Sequence, residues 1–203
     1  MVKEILHNIW IWSWYSKEKG YNFNGTIVSD GRTKVLIDPV RLSDDKGRDT
    51  IQDLGPFEAI YLTNKDHERL SYDLRSKWKV PVWIHEEDQD FLKENADYTF
   101  RDSQKLACGI RVIHLENQKS PGESAFYLDS RGVLILGDAL IGNPPGHLSL
   151  LPSVKYQDIE KARESLKRFT ELRVDSLLVG DGVGVFQGVD KAFAEFFQKE
   201  LGS

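Results

Sequence analysis

Several apolar runs in this 203-residue chain stop abruptly at polar or glycine-rich segments, and this pattern strongly constrains the fold. The segments are residues 63–69 (TNKDHER), 117–124 (NQKSPGES), 137–140 (GDAL) and 180–182 (GDG). In layered α/β folds the functional loops gather at strand ends, because the rigid sheet fixes the loop backbones. Each segment alone fits a solvated loop. Together, and in this order, they indicate loops that converge on one edge of a sheet.

The N-terminal quarter of the chain carries β signals. IWIWSWYS places Trp10, Trp12 and Trp14 on one face of a strand, as period-two alternation requires, and core packing or an interface is the interpretation of this stripe. NGTIVS and TKVLIDP flank residues 30–32 (DGR), which is a hairpin signal. The sequence therefore predicts strands before the first polar segment.

Helix and strand signals then alternate. Strands are predicted for FEAIYLT, VPVWIH, IRVIHLE, ESAFYLD, GVLILGD and DSLLVGDG, and helices for RLSYDLRSKW, EEDQDFLKE, DIEKARESLKRFTEL and VDKAFAEFFQKEL. β-rich and α/β segments thus alternate twice, and two sheets packed face to face with helices outside would bury this pattern. No Pro/Gly/Ser-rich linker interrupts the chain, so one domain is predicted over residues 1–203.

Composition excludes several functional classes. The net charge is −5 and no basic tract stands out, so nucleic acid is not an expected partner. No apolar run reaches the roughly 18–20 residues of a membrane span, and the N-terminus is interpreted as a strand rather than a signal peptide. The single cysteine, Cys108, excludes an internal disulfide and a multi-cysteine zinc site. A cytoplasmic protein is predicted.

The order of these segments over about residues 20–200 resembles the metallo-β-lactamase superfamily. NGTIVSDGRTKVLIDP is similar to the family's opening hairpin and Asp-Pro turn. AIYLTNKDHERL is similar to its strand that ends in Thr-His-x-His-x-Asp-His. ESLKRFTELRVDSLLVGDG is similar to its helix and strand that end in Gly-His-Gly. VIHLENQKSPGESAFYLDSRGVLILGDALI resembles its Pro-Gly loop, hairpin and Gly-Asp strand end. The resemblance implies an α/β (α+β) fold, a four-layer αββα sandwich of two mixed β-sheets. It also implies zinc or iron ions whose bridging hydroxide attacks a substrate.

The first liganding motif departs from the family pattern at every matched position. Asn64 and Asp66 stand where the family has its first two histidines. Glu68 stands in for the aspartate, and Arg69 for the third histidine. His67 lies one residue from a matched position, so its side chain either points away or is brought in by a one-residue slip of the loop.

The later liganding positions are also changed. Lys119 falls where the loop histidine belongs, with Gln118 as the alternative if the longer loop shifts the alignment. Asp138 matches the bridging aspartate of the Gly-Asp element, and Asp181 replaces the last histidine. Asp138 is therefore the one liganding residue kept by identity.

These substitutions change the chemistry that the matched positions offer. Zinc favours imidazole and thiolate ligands, and the matched positions supply neither. The candidate catalytic residues are the carboxylates Asp66, Glu68, Asp138 and Asp181. Arg69 and Lys119 are cations that repel a metal ion and can compensate the carboxylates. We therefore expect no metal or other cofactor, and predict that ion pairs from these two residues take its electrostatic place.

Two other interpretations remain open. Asp66, Asp138 and Asp181 are oxygen donors that suit Mg²⁺, Mn²⁺ or Ca²⁺, and a remodelled or substoichiometric Zn²⁺ site is a further alternative. A carboxylate with a pKa shifted by Lys119 could instead act as a metal-free acid or base. Enzymatic activity is thus undecided between a non-catalytic protein and a hydrolase of esters, thioesters, lactams or phosphoesters.

The residues expected to line a ligand pocket are Asn64, His67, Arg69, Lys119 and His147. His147 follows the Gly-Asp element in NPPGHLSLLPS, where it is either a solvated loop residue or one that faces the substrate. The expected partner is a small-molecule ligand, with no nucleic acid and no membrane, and a homo-oligomer is left open.

Overall fold

The computed structural model describes residues 1–42 and 45–201, which form two mixed β-sheets and four α-helices. The first sheet has seven strands in the order β1 to β7, antiparallel up to β4 and parallel from β4 onward. They are β1 (Lys3–Leu6), β2 (Ile9–Ser16), β3 (Tyr21–Ser29), β4 (Lys34–Ile37), β5 (Ala59–Tyr61), β6 (Val82–His85) and β7 (Tyr98–Phe100).

The second sheet has four strands in the order β11-β10-β9-β8. Its first three strands in sequence pair antiparallel, and the last pairs parallel with its neighbour. They are β8 (Arg111–His114), β9 (Ser124–Leu128), β10 (Val133–Leu136) and β11 (Ser176–Val179). The helices are α1 (Asp45–Leu54), α2 (Ser71–Trp78), α3 (Ile159–Ser165) and α4 (Val189–Leu201).

Three apolar layers hold these elements together. One contains Ile51 of α1 and Leu74 of α2 against the outer face of the first sheet. A second joins the inner faces of both sheets, and a third packs the α4 phenylalanines on the second sheet. The order of layers is therefore helix, sheet, sheet, helix, which confirms the predicted αββα sandwich.

The tryptophan stripe of β2 belongs to the outer layer of the first sheet. Trp12 is buried, and its Nε1–H donates to the carbonyl of Val40 at 2.9 Å. Trp10 and Trp14 are partly buried and pack against the same cluster. The interpretation of the stripe as core packing is confirmed.

Two predicted helices differ from the observed structure. Residues 86–94 form a 3₁₀-helix over Glu86–Phe91 rather than an α-helix. Asp88 of this segment is buried and accepts from the Ser120 hydroxyl and the Gly122 amide, contacts with a distant loop that local periodicity does not report.

The helix predicted over 158–172 is α-helical only through Ser165 and continues as a 3₁₀-helix over Leu166–Glu171. The short strands β1 and β7 and helix α1 were not predicted: the two strands have only four and three residues, and the helix has few apolar side chains.

The polar segments meet at one edge of the sandwich. Three of them follow β5, β10 and β11, and the fourth joins β8 to β9. The two sheets are tied together at this edge by Asn24 of β3. Asn24 Nδ2 donates to the carbonyls of Val179 and Gly182, at 2.9 Å in each case. Among the residues described, no helix combines the length and apolarity that crossing a membrane requires.

Candidate functional site

His67 lies at the centre of the polar edge. It ends a 3₁₀ turn, Lys65–His67, that Asn64 caps by accepting a hydrogen bond from the Asp66 amide at 2.9 Å. The turn directs the imidazole inward, where it is 2% exposed. Its Nδ1 lies 2.8 Å from Asp38 Oδ2 and its Nε2 lies 3.3 Å from Asp138 Oδ1. The side chain therefore enters the cluster, and the alternative that it points away is wrong.

Asp38 fixes the orientation of this imidazole. It follows β4 in the Asp-Pro turn, and its Oδ1 accepts from the Thr63 amide at 2.9 Å. The Thr63 hydroxyl donates to Oδ2 at 2.6 Å. Sequence analysis did not select Asp38 as a site residue, although the Asp-Pro turn belongs to the resemblance and offered a signal.

The charge state of His67 depends on its neighbours. Burial and the nearby Arg69 charge lower its pKa, whereas Asp38 and Asp138 raise it above its ordinary value. Its Nδ1–H donates to Asp38 Oδ2. Arg69 Nη2 lies 2.9 Å from Nε2, and because a guanidinium has no acceptor, Nε2 accepts this hydrogen bond. The imidazole is therefore held between a carboxylate that accepts from it and a guanidinium that donates to it.

Arg69 points into the acidic cluster. Its Nη2 donates to Asp181 Oδ1 at 2.7 Å, and its Nη1 donates to the Asn24 carbonyl at 3.3 Å. The guanidinium lies over the Phe23 ring, 4.7 Å from its centroid. Arg69 has φ of 38° and Asp38 has φ of 46°, in the left-handed region that costs energy for residues other than glycine. Such strain is concentrated at functional sites in proteins.

Lys119 reaches the same cluster from the loop between β8 and β9. Its Nζ donates to Asp138 Oδ2 at 2.6 Å and lies 2.9 Å from Asp66 Oδ2. Burial lowers the pKa of Lys119, but Asp138 and Asp66 raise it above its ordinary value, so the side chain stays an ammonium. Gln118 turns away and donates to the Ala162 carbonyl of α3 at 2.9 Å. Lys119 is therefore the residue of this loop that enters the site.

The two buried aspartates differ in their electrostatic environment. Burial raises the pKa of Asp138, but His67 and Lys119 lower it well below its usual range. Burial also raises the pKa of Asp181, and the opposing charges of His67 and Arg69 do not fully offset that effect. Asp138 is thus the more firmly ionised carboxylate of the pair.

Glu123 lies beneath Asp138 and is fully buried. Its Oε1 accepts from the amides of Asp138 at 2.8 Å and Ala139 at 3.2 Å. Its Oε2 has no hydrogen-bond partner within the described part of the chain. Burial and the Asp138 charge raise the pKa of Glu123 well above its ordinary value. Sequence analysis missed this residue, whose one signal was its place in the NQKSPGES segment.

Three predicted residues lie outside the cluster. Glu68 turns away: its Oε2 accepts from the Tyr72 hydroxyl at 2.5 Å and from the Lys93 amide at 2.9 Å. Asn64 is fully buried and acts as the cap of the turn rather than as a pocket wall. His147 has a side chain that is 62% exposed, with its Nδ1 3.7 Å from Glu195 Oε2. The structure therefore corrects the placement of these residues in the site.

Glycines allow the strand ends to approach so closely. A Cβ at Gly180 would lie 2.7 Å from Cε1 of His67, and one at Gly137 would lie 2.2 Å from the hydroxyl oxygen of Thr63. Both distances are below the contact limit for carbon. The glycines of the Gly-Asp and Gly-Asp-Gly segments are therefore required by the packing of His67 and Thr63.

A cavity of about 300 Å³ opens in front of the ion pairs. Its lining includes the candidate catalytic and pocket residues that the structure brings together, which are Asp66, His67, Arg69, Lys119, Asp138 and Asp181. The remaining wall consists of partly apolar side chains and two further lysines: Tyr21, Phe23, Leu151, Pro152, Lys19 and Lys155.

A second group of potential metal ligands, His85, Glu87 and His114, lies at a distance from this cavity. The two imidazoles stack, with centroids 4.1 Å apart and planes 18° from parallel. His85 Nδ1 accepts from the Glu87 amide at 3.3 Å, and His114 Nε2–H donates to the Pro121 carbonyl at 2.8 Å. Because nitrogen lone pairs lie in the ring plane, parallel rings do not direct them at one ion. The contact with the Glu87 amide makes His85 the N-cap of the 3₁₀-helix Glu86–Phe91.

The sequence profile of the metallo-β-lactamase superfamily matches residues 4–199. This chain belongs to the metallo-β-lactamase superfamily. No curated protein matches it. Among solved structures, a metallo-β-lactamase from Pontibacter korlensis is 18% identical, with a TM-score of 0.80 over 98% of each chain.

Two further solved structures share the fold. The protein TTHA1623 in a di-iron-bound form is 22% identical, with a TM-score of 0.70 over 89% of this chain and 96% of that one. The metallo-β-lactamase FIM-1 from Pseudomonas aeruginosa in its mono-zinc form is 14% identical, with a TM-score of 0.73 over 98% and 95%. At these identities the likeness establishes the fold.

The superfamily site of this chain contains side chains that can bind a metal ion. His67, Asp138 and Asp181 each offer one ligand atom, and these atoms lie within 4.8 Å of one another. The expectation of a site without imidazole is therefore corrected, because His67 enters from a position one residue away from the family motif. Lys119 and Arg69 lie among the same three side chains.

Proposed function

We propose that this protein is a metallo-β-lactamase-fold binding protein with a degenerate active site, in which ion pairs from Arg69 and Lys119 replace the metal ions. The observation that carries this proposal is the contact of Lys119 Nζ with Asp138 Oδ2 at 2.6 Å. Asp138 is the single liganding residue that the chain keeps by identity, and an ammonium group is bonded to it.

The donor set does not fit a zinc or iron ion. Asp181 is bonded to Arg69, and the third donor, Nε2 of His67, lies 2.9 Å from Arg69 Nη2. An arginine cannot deprotonate in a protein, and the raised pKa of Lys119 keeps it charged, so neither can act as a ligand. A metal ion would have to displace both cations, including the Arg69 guanidinium that donates to His67 Nε2.

Side-chain cations pair with the carboxylates of the cluster without a metal. Arg69 and Lys119 are the cations, and the Nδ1–H of His67 is a further donor. They face four carboxylates, at contact distances between 2.6 and 3.3 Å: Asp38, Asp66, Asp138 and Asp181. Buried carboxylates need such compensation to remain ionised. Each cation contacts at least one carboxylate, which is the role that a metal ion has in a related site.

Metal analysis tests the proposal directly. The protein would be produced in ordinary medium, purified without chelator or added metal, and measured for transition metals by mass spectrometry. The expected result is metal far below stoichiometric amounts, with unchanged folding after treatment with EDTA. Stoichiometric zinc or iron would contradict it.

A second candidate function is a hydrolase with a remodelled site. It is favoured by the grouping of His67, Asp138 and Asp181, whether around an oxygen-preferring metal or as a metal-free acid–base set. Several structural relatives bear the name metallo-β-lactamase. A screen of esters, thioesters, lactams and phosphoesters, with and without Mg²⁺, Mn²⁺ or Zn²⁺, separates the candidates. Turnover that Asp138→Asn abolishes would establish the hydrolase. Absence of turnover for every substrate class supports the binding protein.

A further inference from the structure

We infer that the cavity in front of the ion pairs binds a small organic anion, whose carboxylate or phosphate group contacts Lys119, Lys155 and Tyr21 and whose apolar body lies toward Phe23 and Trp14. This inference rests on the proposed function, because it requires the cations, and not a metal ion, to provide the positive charge at the site.

The cavity lining is positive although the whole chain is negative. Four basic side chains line it, against three carboxylates, and the chain has a net charge of −5. All three carboxylates are already bonded to Arg69 or Lys119. The positive charge available to a ligand therefore lies at the cavity mouth, chiefly on Lys155, and a concave low-dielectric surface strengthens its field.

Lys155 supplies much of this uncompensated charge. It is an exposed residue at the cavity mouth, and no carboxylate pairs with its ammonium within residues 1–42 and 45–201. Lys19, the other lysine of the rim, is paired with Glu18 at 3.1 Å, but the Glu18 side chain is 82% exposed. Such an exposed pair is weak and yields readily to a ligand.

Tyr21 adds a neutral donor to the anion subsite. Its hydroxyl forms no hydrogen bond with any described residue, and its ring lines the cavity. Burial and the charges of Asp181 and Asp138 raise its pKa, so the hydroxyl keeps its proton. A ligand oxygen would thus meet a hydroxyl donor and ammonium donors in the same small volume, which is a favourable arrangement for a carboxylate or phosphate.

The apolar end of the proposed ligand follows from the neighbouring cavity. Phe23 and Arg69 line both the first cavity and a second one of about 310 Å³. The second cavity is bounded by Trp14, whose ring lies 5.7 Å from that of Phe23 by centroid, and by the cations Arg41 and Lys93. Cavities of this size accept small molecules, and the edges of the two aromatic rings favour a planar apolar body.

Isothermal titration calorimetry on the protein whose metal content has been measured tests the inference. The four probes are phenyl phosphate, benzoate, inorganic phosphate and the neutral benzamide. Phenyl phosphate or benzoate should bind, and benzamide should bind at least roughly tenfold more weakly, as loss of one charge-assisted contact predicts. The two anions distinguish a phosphate from a carboxylate ligand. Equal affinity for benzamide and benzoate would overturn the inference.

Variants locate the two ends of the ligand. Lys155→Gln should weaken binding of the preferred anion roughly tenfold, whereas Lys161→Gln, at an exposed position on α3, should leave it unchanged. Trp14→Leu should weaken binding of the aromatic anion and leave that of inorganic phosphate unaltered. Unchanged affinity in Lys155→Gln would refute the anion subsite.

The outcome also separates this inference from the proposed function. A metal-free protein that binds none of the anions disproves the inference alone. A protein that holds stoichiometric metal disproves both, since the anion would then meet the metal rather than the lysines.

Discussion

Lys119 Nζ lies 2.6 Å from Asp138 Oδ2, and the same ammonium lies 2.9 Å from Asp66 Oδ2. One lysine therefore bridges two carboxylates that come from the ends of different strands and from different sheets. In the family pattern Asp138 is the metal-bridging residue, so this contact places an amine at the point where a metal ion would be expected. Its energetic contribution and its effect on metal binding can be measured separately.

Removing the Lys119 charge should destabilise the fold. Lys119→Met keeps most of the side-chain volume but leaves Asp138, which is 5% exposed, with one cation fewer. Loss of a partner from a largely buried charged hydrogen bond costs about 2 kcal/mol. Urea unfolding at neutral pH measures the difference.

The matched control for this variant is Lys161→Met. The Lys161 side chain is 68% exposed and pairs with Asp158 at 3.6 Å, so its removal should change the free energy of unfolding by less than about 0.5 kcal/mol. If the two variants were equally stable, Lys119 would not be compensating a buried charge.

Restoring imidazoles should restore metal affinity. In the double variant Arg69→His/Lys119→His, both cations that exclude a metal ion are replaced by neutral zinc ligands beside His67, Asp138 and Asp181. We expect zinc to bind and to raise the melting temperature, which the unaltered chain should not show. Isothermal titration with zinc measures this, and a double variant that binds no more zinc than the unaltered chain would contradict the proposed role of the two cations.

Glu123 should make the fold less stable as the pH rises. Its pKa is 4.5 in an unstructured chain and well above that in the fold, so the folded state holds a proton that the unfolded state releases. The stability that this proton contributes is complete below pH 4.5 and declines as the pH increases toward the folded pKa. Glu123→Gln, a neutral isostere, should abolish this decline and be more stable than the unaltered chain at pH 8.

Urea unfolding of both proteins at pH 5 and pH 8 provides the comparison. The gain of Glu123→Gln should be larger at pH 8 than at pH 5. If the two proteins differed in free energy of unfolding by the same amount at pH 5 and at pH 8, Glu123 would be ionised in the fold.

His85 should produce the opposite pH dependence. Burial and the neighbouring His114 charge lower its pKa from 6.5 to about 4. The unfolded chain therefore binds a proton first, so stability is complete above pH 6.5 and is lost as the pH falls from 6.5 to about 4. His85→Asn retains a capping acceptor for the Glu87 amide and should show a smaller loss over this range.

The exposed His147 gives the control for this measurement. Its side chain is 62% exposed, so His147→Asn should leave the pH dependence of the urea midpoint close to that of the unaltered chain. A pH dependence in His85→Asn identical to that of the unaltered chain would show that His85 does not titrate in this way.

Local sequence signals predicted most of the scaffold. The alternation of β2, the hairpin of β3 and β4 and the apolar runs of β5, β6, β10 and β11 all depend on burial of side chains near in sequence, which periodicity reports directly. The segment after β6 is a 3₁₀-helix rather than the predicted α-helix, and its Asp88 is fixed by hydrogen bonds to a loop distant in sequence. The predicted convergence of strand ends is observed, since parallel strands bring their carboxyl ends to one edge.

Matching residues to the family motif was less informative about individual side chains. It selected Arg69, Lys119, Asp138 and Asp181, which do meet. It also selected Glu68, which turns to Tyr72. It gave His67 only as an off-register alternative and did not include Glu123. A 3₁₀ turn of three residues decides which of these side chains face inward, and the motif does not specify that turn.

The sequence by itself determined the sandwich, the edge at which its loops meet, and the replacement of histidines by cations and carboxylates. Only the tertiary structure decided the pairing. Lys119 meets Asp138 and Asp66, Arg69 meets Asp181, and His67 lies between Asp38 and Asp138. The physical reason is that ion pairing depends on distances of a few ångströms between residues far apart in sequence, and those distances exist only once both sheets have packed.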